Sequence, residues 1–192
     1  MEKLKLVIAD DESLIRMDIK EMLEDAGHKV IGEGTNGRQA VDLAAELQPD
    51  LVIMDVKMPE MDGLTAAEEI FKKKLAPVLL LTAFSQEDIV KKAGSCGVLG
   101  YLVKPINEYN LLPAIEIAVS RYREIKQLED ELEKAKESLQ QRKILAKAKG
   151  ILMEVHGFSE DEAYHKMQQY SMSHQMTLKK VAEMIIASAA KK

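Results

Sequence analysis

Polar side chains follow several apolar stretches of this 192-residue chain, at the points where those stretches end. Asp10 and Asp11 follow residues 3–9, Asp55 follows 51–54, Thr82 ends 77–82, and Lys104 follows 98–103. Each stretch is too short for a helix, and residues 51–54 are apolar throughout, as in strands buried on both faces of a parallel sheet. The carboxyl ends of parallel strands share one edge, where ligands bind. We therefore expect these five side chains to lie close together.

The five side chains have the chemistry of a phosphoryl-transfer site. Three carboxylates favour a hard divalent cation, and Mg²⁺ is commonly held by one or two carboxylates, water and a phosphate. Asp55 can act as a nucleophile and form an aspartyl phosphate, while Thr82 and Lys104 bind oxygens of the transferred group. The simpler alternatives are a turn aspartate at Asp55 and a helix cap from Asp10, Asp11 or Ser13. A cap does not account for three consecutive acids at 10–12, which repel one another.

The stretches between the predicted strands have the spacing of short helices. A further strand is predicted from Val30, and helices are predicted from Leu14 and over 38–47, 64–74 and 87–93. Gly27 is expected to end the first helix. Five strands that alternate with helices of about ten residues predict an α/β protein with a doubly wound parallel sheet.

Residues 32–37 match the glycine pattern of dinucleotide-binding loops. That fingerprint should follow the first strand and open a helix with its glycines, whereas acids follow the first strand here. We interpret Asn36-Gly37 as a turn before the helix over 38–47, and a nicotinamide cofactor as the less favoured alternative.

A long helix is predicted from Asn107 to about Val155, because the only proline in this stretch, Pro113, lies in its first turns. Apolar residues recur along it at intervals of three and four, namely Ile125, Leu128, Leu132, Ala135 and Leu139. Such a seam with charged flanks predicts a short coiled coil and hence a homodimer. The alternative is that the seam packs within its own chain.

Two further helices follow a break at 157–159. Ser159 and Glu162 have the spacing of a capping box, and the expected buried stripe behind them is Ala163, Tyr164, Met167 and Tyr170. A loop over 171–177 is expected to precede a last helix that buries Leu178, Val181, Met184 and Ile185. Together with the end of the long helix, these elements predict a small three-helix domain that depends on a partner for part of its core.

The charges are divided unevenly along the chain. Residues 1–116 carry 13 basic and 21 acidic side chains, a net of −8, while residues 142–192 carry 9 and 5, a net of +4. The second group of basic residues includes Arg142, Lys143, Lys147 and Lys149 on the long helix, and Lys179 and Lys180 on the last one. They indicate a nucleic-acid surface, or alternatively a solvated helix face.

Composition also limits the environment of the protein. The single Cys96 excludes an internal disulfide, and no stretch approaches the ~20 apolar residues of a membrane span. The absence of a signal-peptide pattern predicts a cytoplasmic protein without a membrane partner.

Residues 1–120 resemble the receiver domains of two-component response regulators, which have a flavodoxin-like fold. The matching features are Asp10-Asp11, Asp55 with Met58-Pro59 and Asp62-Gly63 behind it, Thr82-Ala83 and Lys104-Pro105. The resemblance implies phosphorylation of Asp55 by a sensor histidine kinase, with Mg²⁺ bound by Asp10, Asp11, Asp55 and the backbone carbonyl of Lys57. It also implies a switch, in which Thr82 moves toward the phosphoryl group and Tyr101 turns inward, and a cis bond at Lys104-Pro105. Such a protein is a phosphoacceptor rather than an enzyme, and at most phosphorylates itself from small donors and dephosphorylates itself.

The end of the chain, roughly residues 135–190, resembles the ANTAR domain, a three-helix RNA-binding module of transcription antiterminators. Residues 146–153 carry the resemblance, with Ser159, Ala163-Tyr164, Leu178 and Val181-Ala182 downstream, while Gln168 and Ser171 depart from it. The resemblance implies that a dimer binds paired stem-loops in nascent mRNA and holds off a terminator hairpin. The expected RNA contacts are Arg142, Lys143, Lys147, Ala148, Lys149, Thr177, Lys179 and Lys180.

The predicted organisation is a receiver domain over 1–120, a coiled-coil linker helix over 121–141 and an ANTAR domain over 142–192. Phosphorylation of Asp55 is expected to release or reorient the long helix and to favour a dimer. The main alternative output is a DNA-binding helix-turn-helix, which needs a tight turn of about three or four residues, whereas the predicted loop over 171–177 is longer. A phosphorelay module without nucleic-acid binding and an autonomous enzyme with a small substrate are the other classes.

Overall fold

The structure is a computed structural model, and it describes residues 2–83 and 98–189. The chain forms two compact units, Met1–Lys126 and Gln127–Lys192. None of the helices in the described residues combines the length and the apolar character that a membrane span requires. The helix predicted over 87–93 and Cys96 lie outside the described residues.

The first unit is built around a five-stranded parallel sheet, as predicted. The strands are β1 (Lys5–Ala9), β2 (Lys29–Gly34), β3 (Leu51–Asp55), β4 (Val78–Thr82) and β5 (Gly100–Val103), in the spatial order β2-β1-β3-β4-β5. Every residue of β3 and β4 is buried, as expected for the inner strands of a sheet covered on both faces. β5 lies at an edge of the sheet, and its residues alternate between half-buried and exposed.

Helices cover both faces of this sheet. They are α1 (Ser13–Asp25), α2 (Gly37–Leu47), α3 (Gly63–Lys72) and the first turns of α4 (Glu108–His156). Leu6 packs with Leu23 of α1 and Leu111 of α4 in one core cluster. Its neighbour Val7 packs with Ala40 of α2 in the other. Successive side chains of a strand point to opposite faces, so the unit has the predicted doubly wound α/β architecture.

The glycines at 32–37 do not form a dinucleotide-binding loop. Gly32 and Gly34 lie inside β2, and a Cβ at Gly32 would come within 2.9 Å of the Leu47 side chain. The side chain of Asn36 caps α2 by accepting a hydrogen bond from the Gln39 N–H at 2.8 Å. The structure therefore supports a turn followed by a helix.

α4 is a single helix of 49 residues. It begins one residue later than predicted and ends at His156, just before Gly157 with φ 69°. In the predicted seam, Leu128 is 65% exposed and Leu132 and Leu139 are each 55% exposed. Within the described residues, the alternative of a seam buried by its own chain is therefore wrong.

The second unit packs the end of α4 against α5 (Glu160–Ser173) and α6 (Leu178–Ala189). Its buried core consists of Ala148, Met167, Val181 and Ala182. The capping box between Ser159 and Glu162 is formed in both directions, as predicted. Tyr164, Tyr170 and Met184, which were expected to be buried, are exposed. The buried face of α5 is narrow, and Ala163 and Met167 fill it, so the two tyrosines lie outside it.

The turn between α5 and α6 is shorter than predicted. α5 continues to Ser173 and α6 begins at Leu178, so the connection is the four residues 174–177. The Ser171 hydroxyl donates to the Met176 carbonyl at 2.6 Å, which ties the end of the helix to the turn. A turn of this length is within the range of helix-turn-helix motifs. The expectation that loop length argues against a DNA-binding output is therefore wrong.

Candidate functional site

The strand ends bring the predicted polar residues to one edge of the sheet. The last residues of neighbouring strands pair in register, Ala9 with Met54, Asp55 with Leu81, and Thr82 with Val103. Asp10 and Lys104 follow directly in the chain, and the Lys104 N–H donates to the Thr82 carbonyl at 2.8 Å. Parallel pairing therefore places Asp10, Asp55, Thr82 and Lys104 side by side.

The ammonium of Lys104 bridges two buried carboxylates. Its Nζ lies 2.9 Å from Asp10 Oδ2 and 2.8 Å from Asp55 Oδ1. Asp10 is 1% exposed and Asp55 is 6% exposed, so the cation offsets part of a negative charge that water scarcely reaches. Burial alone would lower the pKa of Lys104, but hydrogen bonds and charges from Asp55 and Asp10 outweigh it, and the pKa is raised. Lys104 is therefore charged at neutral pH.

Backbone N–H groups hold the remaining oxygens of both acids. Asp10 Oδ1 accepts from the Glu12 N–H at 2.9 Å, and Asp55 Oδ2 accepts from the Lys57 N–H at 2.8 Å. Glu12 is the N-cap residue of α1, and within the described residues that helix has no side-chain capping hydrogen bond. Helix capping by Asp10, Asp11 or Ser13 therefore does not explain the run of acids.

Arg16 contributes to the site, although the sequence analysis did not identify it. Its Nη1 donates to the Asp10 carbonyl at 2.7 Å, and its Nε lies 3.4 Å from Glu33 Oε2. Lys20 pairs with the same carboxylate at 2.6 Å; hydrogen bonds and charges from Lys20 and Arg16 lower the pKa of Glu33. Arg16 thus fixes the backbone at Asp10. The only signal in the sequence is two cations at i, i+4 on α1, a spacing that is also common on solvated faces.

The turn after Asp55 requires glycine at position 63. A Cβ there would lie 2.1 Å from the Asp55 carbonyl oxygen. The Gly63 N–H donates to the Val56 carbonyl at 2.9 Å, and the Asp62 side chain caps α3. The absence of a side chain thus allows α3 to begin directly against the backbone of Asp55.

The basic residues of the second unit that were predicted to contact RNA lie on α4 and α6. Lys143 and Lys147 line a groove between these two helices. Lys149 pairs with Glu160 in the first turn of α5, and the hydrogen bond and charge of the ammonium lower the pKa of Glu160. The Thr177 hydroxyl accepts from the Lys180 N–H at 3.3 Å, at the start of α6. The exposed cations include Arg142, Lys179 and Lys180.

A family model for the response regulator receiver domain matches residues 6–116, which include the whole cluster around Asp55. The chain belongs to the response-regulator family. A second model, for the ANTAR domain, matches residues 133–186. The predicted combination of a receiver domain with an ANTAR domain is therefore confirmed.

Individual relatives agree with this assignment. The transcriptional regulatory protein PdtaR of Mycobacterium tuberculosis is 49% identical over 182 residues, which cover 95% of this chain and 89% of PdtaR. The signal receiver domain of NarL from Mycobacterium tuberculosis has a TM-score of 0.60 at 30% identity, over 62% of this chain and 98% of that one. A chain of the CheX-CheY-BeF3-Mg²⁺ complex from Borrelia burgdorferi has a TM-score of 0.55 at 26% identity, over 58% and 85%. We also predict from the sequence that the whole chain resembles regulators of ethanolamine utilisation, and these comparisons leave that prediction untested.

Receiver domains typically bind Mg²⁺ at the phosphorylation site, and the buried Asp10 and Asp55 supply the hard oxygen donors that this ion prefers. The predicted cluster of three carboxylates is not preformed, because Asp11 is exposed and Lys104 stands between the other two. Across residues 2–83 and 98–189, no group of three or more Asp, Glu, His or Cys side chains is arranged to hold a metal. Since Mg²⁺ needs only one or two protein carboxylates, the pair fits the ion.

Two other features of the receiver lie on or after β5. Tyr101 is exposed on the edge strand. The Lys104–Pro105 peptide bond is cis, as the family resemblance implied.

Ala148 was predicted to contact RNA, but the structure buries it. This residue is 0% exposed and packs in the core with Met167 and Val181. It lies on the face of α4 that contacts the other two helices, so the expected RNA contact at Ala148 is wrong.

Proposed function

We propose that this response regulator accepts a phosphoryl group on Asp55 from a sensor histidine kinase, then binds stem-loops of nascent mRNA as a dimer and prevents transcription termination. The observation that carries the first half is the Lys104 ammonium between the buried carboxylates of Asp10 and Asp55. The ANTAR match and the positive charge of residues 142–192 support the second half. In this proposal the protein is a cytoplasmic phosphoacceptor, without a separate substrate to turn over.

The transfer is a displacement at phosphorus. An oxygen of the Asp55 carboxylate attacks the phosphorus of a phosphohistidine, the P–N bond breaks with its electron pair passing to the imidazole, and an acyl phosphate forms. In this proposal Lys104, whose Nζ lies 2.8 Å from Asp55 Oδ1, neutralises charge on the transferred oxygens. Thr82, buried at the end of the neighbouring strand, supplies a hydroxyl to the same group.

Mg²⁺ would be held by Asp10 and Asp55, with Asp11 and the Lys57 carbonyl as the further proposed ligands. When bound, the ion supplies positive charge that stabilises the phosphoryl oxygens. The similarity to a chain from the CheX-CheY-BeF3-Mg²⁺ complex supports this part of the proposal.

A change at Tyr101 would report phosphorylation to the rest of the receiver. Tyr101 pairs with Leu80, two residues before Thr82 on the adjacent strand, and its side chain is exposed. In the phosphorylated state we expect Thr82 to move toward the phosphoryl group and Tyr101 to turn inward. The present exposure of Tyr101 is consistent with the unphosphorylated state.

A gel shift with an RNA hairpin and its duplex DNA equivalent, at one salt concentration, tests the output. The full chain is used with and without acetyl phosphate, beside Asp55→Ala. We expect RNA binding that rises with labelling of the wild type, and neither labelling nor this rise in the variant. Labelling of Asp55→Ala at the wild-type level would overturn the phosphoacceptor assignment.

A DNA-binding output is the second candidate, because the four-residue connection over 174–177 is short enough for a helix-turn-helix. Binding to the duplex DNA without binding to the hairpin would favour it. A labelled chain that binds neither nucleic acid would be a phosphorelay module.

A further inference from the structure

The three helices of the second unit, α4, α5 and α6, line an open groove of about 510 Å³. Side chains from all three helices line its apolar floor, and polar groups stand at its rim. The residues that matter here are Leu152, Met167 and Val181 in the floor, and His156, Lys166 and Tyr170 at the rim. A volume of this size is in the range of small-ligand sites. Among the described residues, none of the predicted RNA contacts lines this groove.

Tyr170 gives the groove a fixed aromatic surface. It is 41% exposed, and its ring stacks on His174 with 3.9 Å between the ring centroids and 16° between the planes. The His174 backbone N–H donates to the Tyr170 carbonyl at 3.1 Å, and the Ser173 hydroxyl lies 2.9 Å from His174 Nδ1. At the same rim, His156 stacks on Phe158. Each ring thus packs on a neighbouring ring of the same chain, and such preorganisation lowers the entropic cost of binding.

We propose that this groove takes one unpaired base of an RNA loop, which stacks on Tyr170 while Lys166 contacts a neighbouring phosphate. The inference rests on the proposed RNA function and adds a base-specific subsite to it. Proteins recognise unpaired RNA bases by stacking them on aromatic or histidine rings and by hydrogen bonds to the base edges. The side chains of Tyr170 and His156 offer both kinds of contact.

The positive charge near the groove favours RNA as its occupant over a second copy of the chain. Residues 142–192 carry 9 basic and 5 acidic side chains, and Lys179 and Lys180 stand in the first turn of α6, the helix that forms one wall of the groove. Lys166 stands at the rim itself. Lysine is depleted in protein–protein interfaces, whereas a negatively charged RNA backbone favours it.

The test begins with a pool of RNA hairpins that share one stem and have randomised loops, selected for binding to the full chain treated with acetyl phosphate. The variants are Tyr170→Ala, Tyr170→Phe and the control Tyr164→Ala. Tyr164 lies on the same helix and is 40% exposed, but it does not line the groove. Helix content measured by circular dichroism shows whether each variant is folded.

We expect the wild type to enrich one base at one loop position. Tyr170→Ala should lose that preference and bind the enriched hairpin roughly 5- to 150-fold more weakly, the loss expected for one base stack. Its salt dependence should stay close to that of the wild type, because the phosphate contacts remain. Tyr170→Phe should restore the preference, and Tyr164→Ala should keep it. 2-Aminopurine at the enriched position should be quenched by the wild type and by Tyr170→Phe, but not by Tyr170→Ala.

Other outcomes overturn the inference in distinguishable ways. If the wild type binds no hairpin, the proposed RNA function fails and the subsite fails with it. If the wild type binds and Tyr170→Ala keeps the same loop preference, or Tyr164→Ala loses it equally, only the subsite fails. A weaker dimer in Tyr170→Ala with unchanged RNA binding would assign the groove to a second copy of the chain.

Discussion

Lys104 shares its ammonium between two buried carboxylates whose other oxygens accept hydrogen bonds from the backbone. One ammonium therefore offsets only one of the two carboxylate charges, and the three groups keep a net charge of −1. In the proposed function the same cation would also bind the transferred group, so its removal should affect both stability and phosphorylation.

Replacing Lys104 by Met should destabilise the receiver domain. The change leaves Asp10 and Asp55 without their cation, and breaking a buried pair in this way costs about 3–5 kcal/mol. Urea unfolding at neutral pH measures the loss. The pKa of Lys104 is raised above its ordinary value of 10.5, so its stabilisation is fully present below that pH and is lost as the pH rises through the raised pKa.

Lys73→Met is the matched control for Lys104→Met. It removes an exposed i, i+4 ion pair with Glu69 and should leave the free energy of unfolding nearly unchanged. Equal losses in the two variants would contradict the role of the buried bridge.

His28 should make the stability depend on pH in the acidic range. It is buried, and its Nδ1 accepts a hydrogen bond from the Leu4 N–H at 3.4 Å. Burial lowers its pKa below the ordinary 6.5, against the opposing charge of Glu116. The unfolded state then binds the proton more readily, so the stabilisation is complete above pH 6.5 and is lost as the pH falls toward the lowered pKa. Urea midpoints between about pH 7.5 and about pH 5.5 should fall less in His28→Gln than in the wild type.

The exposed His165 provides the control for His28. His165→Gln should leave the pH dependence of the urea midpoint as it is in the wild type. A pH dependence that is the same in His28→Gln and the wild type would rule out His28 as its source.

Sequence reasoning identified the residues that meet at the sheet edge, but not the bonds between them. Asp10, Asp55, Thr82 and Lys104 were predictable because a parallel sheet collects the ends of its strands at one edge. The position of the Lys104 ammonium and the bond from Arg16 to the Asp10 carbonyl depend on rotamers and on the path of a loop. No periodicity in the sequence encodes these.

Among the elements, the turn between β3 and α3 leaves no room for a side chain at position 63. Gly63→Ala should force the Asp55 backbone to move, because the new Cβ would lie 2.1 Å from its carbonyl oxygen. A displacement of about 1 Å in a reacting group costs roughly 10²-fold in rate, so labelling of Asp55 from acetyl phosphate should fall on that order.

Gly150→Ala is the control for this glycine. Position 150 lies inside α4, where, apart from its chain neighbours and the nearby backbone of the helix itself, no heavy atom of the described residues comes within 4 Å of an added Cβ. This variant should gain about 1 kcal/mol of stability from helix propensity and label at the wild-type rate. Normal labelling of Gly63→Ala would show that the turn adapts more easily than its geometry indicates.

Some helix ends can be predicted from local sequence and others cannot. Gly27 and the Ser159 capping box were predicted correctly, because each end is marked by one residue with a local mechanism. The exposure of Tyr164 and the end of α5 at Ser173 were not predicted. The exposure of Tyr164 depends on the small space between three short helices. The end of α5 depends on the hydrogen bond from the Ser171 hydroxyl to the Met176 carbonyl. The spacing of apolar residues in the sequence reveals neither.

For the whole molecule, the exposed seam of α4 carries the proposed dimer. Leu132→Glu should keep the phosphorylated protein monomeric, because a charge would replace an apolar contact between two chains. Sedimentation with and without acetyl phosphate measures this. Gln141→Glu, an exposed change off the seam, should leave dimer formation intact. An unchanged mass of the wild type under conditions that label Asp55 would refute phosphorylation-dependent dimerisation.

If the proposed dimer forms through the leucines of that seam, gene dosage would also affect the output. When two scarce chains have to meet, the amount of pairs grows with the square of the concentration of single chains. Doubling the copy number of the labelled protein would then nearly quadruple the species that engages two RNA loops at once. A cell could set the threshold of its response through expression of this one gene, without any change in the kinase.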